Sequence, residues 1–294
     1  MNIAGNLIVD ATRRILRDLG DPQAINHASD GWRAPLWRAL EDAGLTRAWV
    51  PEELGGAGVP LAEGFEILRI AGEFAVAVPL AETLLAGWLL SRARIPVPTG
   101  ALSVAAARTG IAQAVPLDGE TENLIFRGDF AADEPAMLMG AAVRATQMSG
   151  ALQSILDRSV AYAKERVAFE RPIGGFQAVQ HNLARLAGET AAALAAAGSA
   201  ADAICTEPEF NDAVFLEVAS AKIRVGEAAE TGAAIAHQVH GAIGFSREHV
   251  LHRYTQRLWA WRDDFGDESA WAVRLGAKVA AHGADALWPA LARR

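Results

Sequence analysis

Two short stretches hold the side chains whose types and spacing could do chemistry. The first, residues 162–181, reads Tyr-Ala-Lys-Glu-Arg-Val-Ala-Phe-Glu-Arg-Pro-Ile-Gly-Gly-Phe-Gln-Ala-Val-Gln-His. The pattern predicts the end of one helix at Arg166, a turn through Pro172-Ile173-Gly174-Gly175, and a new helix starting at Phe176-Gln177. A guanidinium offers fixed, forked donors that suit phosphate oxygens. A basic residue at a helix C-terminus is also favoured by the helix dipole alone. The second stretch is His237-Gln238-Val239-His240-Gly241-Ala242-Ile243-Gly244-Phe245. Gly241 lets the backbone come close to a ligand because it has no Cβ. The same glycine can end a helix as a C-cap, and both readings can hold together.

Other chemistries find less support. His237 with His240, and His249 with His252, stand three residues apart, but neither pair comes with a cysteine or carboxylate at a metal-site spacing. These histidines are expected as polar residues facing solvent or a subunit interface, and no metal is expected. There is no Gly-x-Ser-x-Gly for a hydrolase and no Gly-x-Gly-x-x-Gly after a strand for a Rossmann site. Trp259, Trp261 and Trp271 flank Arg262-Asp263-Asp264-Phe265-Gly266-Asp267-Glu268. The tryptophans are expected to fill core, with Asp267 or a neighbour capping the next helix.

These segments need a scaffold, and the chain can supply one. Its 294 residues are 51% hydrophobic and 21% charged, enough for a sizeable core in one large or two ordinary domains. The formal net charge of −8 argues against binding nucleic-acid phosphates. Cys205 is the only cysteine, which excludes an internal disulfide. The N-terminus lacks a signal-peptide pattern, and the apolar run from Phe74 to Leu90 is broken by Pro79 and Glu82. No membrane span is expected, and the cytoplasm is the default location.

The expected class is mainly α. Residues 1–92 read as an N-terminal helical domain. Residues 93–140 read as a small β segment with short strands at Leu102–Ala106, Ile111–Val115 and Leu124–Phe126. Residues 141–294 return to long helices joined by short loops, a bundle pattern. Apolar residues recur at helical spacing at Met148, Leu152, Ile155 and Val160, and again at Val179, Leu183, Leu186 and Leu194.

The pattern of Tyr162, Arg166, Phe169, Pro172-Ile173, Phe176-Gln177 and Gln180, with the second stretch, resembles the two flavin-contacting signatures of the acyl-CoA dehydrogenase family. Val50-Pro51-Glu52-Glu53-Leu54-Gly55-Gly56-Ala57-Gly58 looks like part of that family's N-terminal domain, so the likeness covers most of the chain. The resemblance implies an N-terminal helical domain, a middle β domain and a C-terminal four-helix bundle. It implies FAD as cofactor, contacted by Arg166, Phe176, Gln177, Gln238, Val239, His240, Gly241 and Ala242. Two positions depart from the family: Glu170 and Ala242 stand where glycine is usual.

The family reaction removes the α-proton of an acyl-CoA with a carboxylate while the β-hydrogen leaves as hydride. Counted from the second signature, the usual base position is Phe265, followed by Gly266; the alternative family position falls near Gly140. Neither is an acid. Asp264 is the nearest carboxylate, and the middle segment is much shorter than the family's. The resemblance is therefore narrower, to the short subunits of heterotetrameric, steroid side-chain acyl-CoA dehydrogenases. It implies a homologous catalytic partner, an acyl-CoA substrate and an electron-transfer flavoprotein-like acceptor. Two rivals stay open: a self-sufficient homo-oligomer using Asp264, and a scaffold that has lost the flavin.

Overall fold

A computed structural model describes residues 3–26, 33–106, 111–116, 128–129 and 134–283, with positions 285, 288, 289 and 292 beyond. Five helices come first: α1 (Ile3–Leu19), α2 (Pro22–Asn26), α3 (Ala34–Asp42), α4 (Leu61–Glu73) and α5 (Leu80–Arg92). Next come β1 (Leu102–Ala106), β2 (Ile111–Pro116) and β3 (Gly128–Asp129), an antiparallel sheet in the order β1-β2-β3. The strands expected at 102–106 and 111–115 are present; the one expected at 124–126 lies outside the described residues. Helix α6 (Glu134–Glu165) starts before residue 140, so the tail of the expected β segment is helical. The two-residue strands β4 (Val167–Ala168) and β5 (Arg171–Pro172) follow, then α7 (Gln177–Thr206), α8 (Asp212–His240), α9 (Leu251–Asp263) and α10 (Glu268–His282).

Helix α6 is the axis of the molecule. From Ala136 to Leu152 nearly every residue is buried, because α4, α7, α8 and α9 pack around it. Its line of Leu138, Met148, Leu152 and Ile155 belongs to one continuous core. Truncating Leu152 or Ile155 to alanine is expected to cost about 2–5 kcal/mol. Where α4 crosses α6, Gly72 meets the Gln147 backbone and Gly150 meets the Arg69 backbone, with no room for a Cβ on either side. Helix α7 buries Leu186, Ala193, Ala197, Ala200 and Ile204, so alanine brings its axis close to α8.

Side chains cap the starts of α8 and α10. Asn211 caps α8 by accepting from the amides of Ala213 and Val214 at 2.9 and 3.1 Å. Asp267 caps α10 by accepting from Ala270 at 2.7 Å, as the acidic run predicts. Trp261 and Trp271 fill core as expected, whereas Trp259 is half exposed. That residue sits on the outward side of α9, where burial would have needed a further helix. No described helix is long and apolar enough to cross a membrane.

Candidate functional site

The two ends of α6 carry two separate chemistries. At the C-terminal end, the helix stops at Glu165 and the Arg166 amide still donates to the Tyr162 carbonyl at 2.8 Å. A two-residue hairpin then joins β4 to β5 through Phe169 and Glu170, both left-handed at φ 51° and 65°. Such turns favour positive φ at both central residues, which is why glycine is usual where this chain has Glu170. The chain returns through an Ile173 amide bond to the Arg166 carbonyl, and Phe176 begins α7 in an extended conformation. Arg166 and Gln177 are exposed, Phe176 is partly so, and the Arg171 guanidinium lies 4.1 Å over the Phe176 ring.

The second stretch ends α8 against the last turn of α6. Gln238, Gly241 and Ala242 are exposed, whereas Val239 and His240 are buried. Gly241 is the C-cap at φ 65°, with nothing within 4 Å of where a Cβ would stand. The Tyr162 ring stacks on His240 at 4.5 Å, one turn before Arg166 and two residues after Gln238. The sequence-predicted residues thus fall on two adjoining segments with their donors outward. Exposed guanidinium and amide groups beside an open, glycine-ended turn fit an anionic diphosphate. For His237 and His240 the expectation of a place facing solvent or a subunit interface is corrected here, while His249 and His252 are half-buried. His237 and His240 are only 8% and 4% exposed, packed under the turn between α8 and α9 by Phe245, Tyr162 and His249.

At the other end, α6 lines a cleft of about 270 Å³ with Ala81, Glu82 and Leu85 of α5, Val104 of β1, and residues 263–265. Phe265 sits over Gly140: a Cβ on that glycine would come within 2.4 Å of the ring. Two positions separated by most of the bundle's sequence therefore share one space, and an aromatic ring fills it. Phe265 is left-handed at φ 57°, followed by Gly266 at φ 90°. A non-glycine residue in that region costs roughly 1–2 kcal/mol, so the surroundings must impose it. They do so by four bonds. The Trp271 indole donates to the Phe265 carbonyl at 2.9 Å. Arg262 pairs with Glu268. The Lys222 ammonium, buried in α8, donates to the Arg262 carbonyl at 2.6 Å. Asp264 pairs with Arg144.

Arg144 is 5% exposed and fully engaged. Its Nε donates to Asp264 at 2.9 Å, and its two terminal nitrogens donate to Glu82 and Gln147, each at 2.6 Å. Burial alone would lower its pKa, but Glu82 and Asp264 outweigh that and hold it above the ordinary arginine value. Burial pushes Lys222 down to about 8. Oδ2 of Asp264 is held by the Arg144 guanidinium, and Asp264 also lines the cleft. Arg144, Glu82, Gln147 and Lys222 were not singled out from sequence. The available signal was a charged residue inside the long apolar run of α6, with a glutamine three residues on.

Comparison with known proteins places these features. Residues 130–261 match the family model "Acyl-CoA dehydrogenase, C-terminal domain". The acyl-CoA dehydrogenase IpdE2 of Mycobacterium tuberculosis is 32% identical over 275 residues, spanning 78% of this chain and 82% of that protein. Among solved structures, the ChsE4-ChsE5 complex from Mycobacterium tuberculosis superposes with a TM-score of 0.75 at 21% identity, over 95% of this chain and 98% of that one. The Tcur3481-Tcur3483 steroid ACAD superposes with a TM-score of 0.75 at 24% identity, over 96% and 99%. These two likenesses concern the fold. Taken with the helical bundle and the residues at both ends of α6, the relationship to IpdE2 establishes that this chain belongs to the acyl-CoA dehydrogenase family.

Proposed function

We propose that this chain is the non-catalytic, cofactor-holding subunit of an acyl-CoA dehydrogenase formed with a homologous partner. The complex oxidises an acyl-CoA to the 2-enoyl-CoA and passes electrons to a flavoprotein-type acceptor. One observation carries the reading: Phe265 fills the space over Gly140, so both family positions for the base are occupied without a carboxylate. The partner therefore supplies the base that takes the α-proton. When bound, FAD supplies the acceptor for the β-hydride. On this chain, Arg166 and the amides of Gln177 and Gln238 bind the cofactor's diphosphate from across the subunit boundary. Phe176 and the Val239–Ala242 backbone shape that contact. The reach to a bulky polycyclic acyl group rests on likeness in fold to the steroid ACAD.

The test is the visible absorption spectrum of the chain purified alone and co-expressed with a full-length homologue. Flavin bands only in the complex, lost in Arg166→Ala, support the reading. Flavin at full occupancy in the Arg166→Ala complex removes the role assigned to that residue. A second reading rests on Asp264, which lines the cleft and is partly exposed. It requires turnover by the lone chain, abolished by Asp264→Asn.

A further inference from the structure

Three histidines beneath the second signature have their protons placed by their neighbours. The His240 Nδ1 donates to the Ala236 carbonyl at 2.8 Å, which leaves Nε2 as a bare lone pair, buried and without a partner. The Thr255 hydroxyl gives its hydrogen to the His252 carbonyl at 3.2 Å and so accepts from His237 Nε2 at 3.0 Å. His237 Nδ1 is then the bare nitrogen, also buried and unpartnered. His249 Nδ1 accepts from the Leu251 amide at 3.1 Å. A second proton has no acceptor on His237 or His240, and on His249 it would confront an N–H donor.

These rings also join the two signature segments. His240 stacks on Tyr162 of α6 at 4.5 Å and packs at a tilt against His249 at 4.6 Å, the three rings forming one cluster, while His237 stacks on Phe245 at 4.0 Å. We infer that His240, stacked on Tyr162 and packed against His249, is a positioning residue that holds the Gln238–Ala242 turn against the end of α6 only while the three histidine rings are neutral. This deepens the cofactor-holding reading and rests on it for its consequence: acidification releases the turn, and FAD with it.

The ionisable groups acting on the rings reinforce this. Facing them are Arg158 and Tyr162 from α6, His252 from α9, and the rings themselves. Each of the groups that shifts their titration is neutral or cationic, and among the described residues no carboxylate does so. Burial, then His240, Arg158 and His252, push His249 down to about 4, and burial likewise lowers His237 and His240.

The experiment is hydrogen exchange of the full chain, resolved by peptide and corrected for intrinsic rate, from pH 7.5 to pH 5. Protection over residues 238–245 is expected to fall by about tenfold, since the open turn binds protons that the closed one excludes, while residues 146–155 of α6 keep theirs. His240→Phe retains an aromatic ring without a titrating nitrogen and should flatten much of that pH profile. Tyr162→Leu, which removes one stacking face, should lower protection of 238–245 at pH 7.5 already. Protection independent of pH in the wild-type chain overturns the inference, as does an unchanged profile in both variants. FAD content of the co-expressed complex, followed over the same range, separates the two claims. A turn that opens while flavin stays bound leaves the clamp standing and removes the cofactor contact.

Discussion

The two ends of α6 differ in where their polar groups find partners. At the cleft end, Arg144 meets Glu82, Asp264 and Gln147, and the ring of Phe265 closes the space over Gly140. The principal charged donors and acceptors there are paired within the chain. At the signature end, Arg166, Gln177 and Gln238 face outward, and a glycine turn opens onto empty space. One end is complete by itself; the other presents donors that a second molecule can use. The difference is the one that the proposed division of the family site between subunits calls for: outward donors at the end proposed to bind, and mutually satisfied groups at the end where the family base would stand.

The sharpest way to break this comparison is at Arg144. Arg144→Ala leaves the Glu82 and Asp264 carboxylates without their shared partner and should cost about 3–5 kcal/mol in urea unfolding. Restoring part of that loss with Glu82→Gln in the same chain would show that the penalty is uncompensated charge. A small loss, within about 0.5 kcal/mol, would mean that the cleft end is not self-satisfied after all. At the opposite end, Arg166→Ala should leave unfolding nearly unchanged. It should weaken FAD retention by the complex by about tenfold or more, the size of a lost charge-assisted hydrogen bond.

Packing at the plug gives a middle-sized test. Gly140→Ala should destabilise by about 1–3 kcal/mol, because the new methyl meets the Phe265 ring. In a Phe265→Ala background the same change should cost much less, and a double-mutant cycle measures the coupling. Additive effects would mean that the ring does not occupy that space. Asp264→Asn, made in the complex, should leave turnover within about twofold, since the proposed function puts the base on the partner.

A further expected effect is on the pH dependence of stability. Lys222 has a folded value near 8, below its unfolded value. Between about pH 8 and 10.5 the unfolded chain therefore binds more protons, and this group's contribution to stability rises with pH across that window. Below pH 8 both states are protonated and its unfavourable contribution is constant. Lys222→Met should remove that rise, seen by comparing midpoints of unfolding at pH 7.5 and 9.5.

Much of this was legible in the chain. The helix stop near Arg166, the restart at Gln177, the cap at Asp267 and the glycine end of α8 each follow from local chemistry acting over a few residues. The strands at 102–106 and 111–116 were legible from β-branched and alternating runs. The histidines were not: their spacing says nothing of Tyr162, whose ring covers His240 from another helix. Arg144 was hidden for the same reason, because its partners come from α5 and from the loop after α9.

The sequence by itself determined the mainly helical class, the family likeness, the polar residues proposed to meet a diphosphate, and the lack of a carboxylate at the two positions where the resemblance places the base. These depend on residue identity and short-range spacing. Only the tertiary structure decided that Phe265 and Gly140 occupy one space, that Asp264 is held by Arg144, and that the rings of Tyr162, His240 and His249 join the two signatures. Each of those facts is a contact between groups distant along the chain. Burial then sets its consequence, because a charge or lone pair removed from water must find its partner inside the protein.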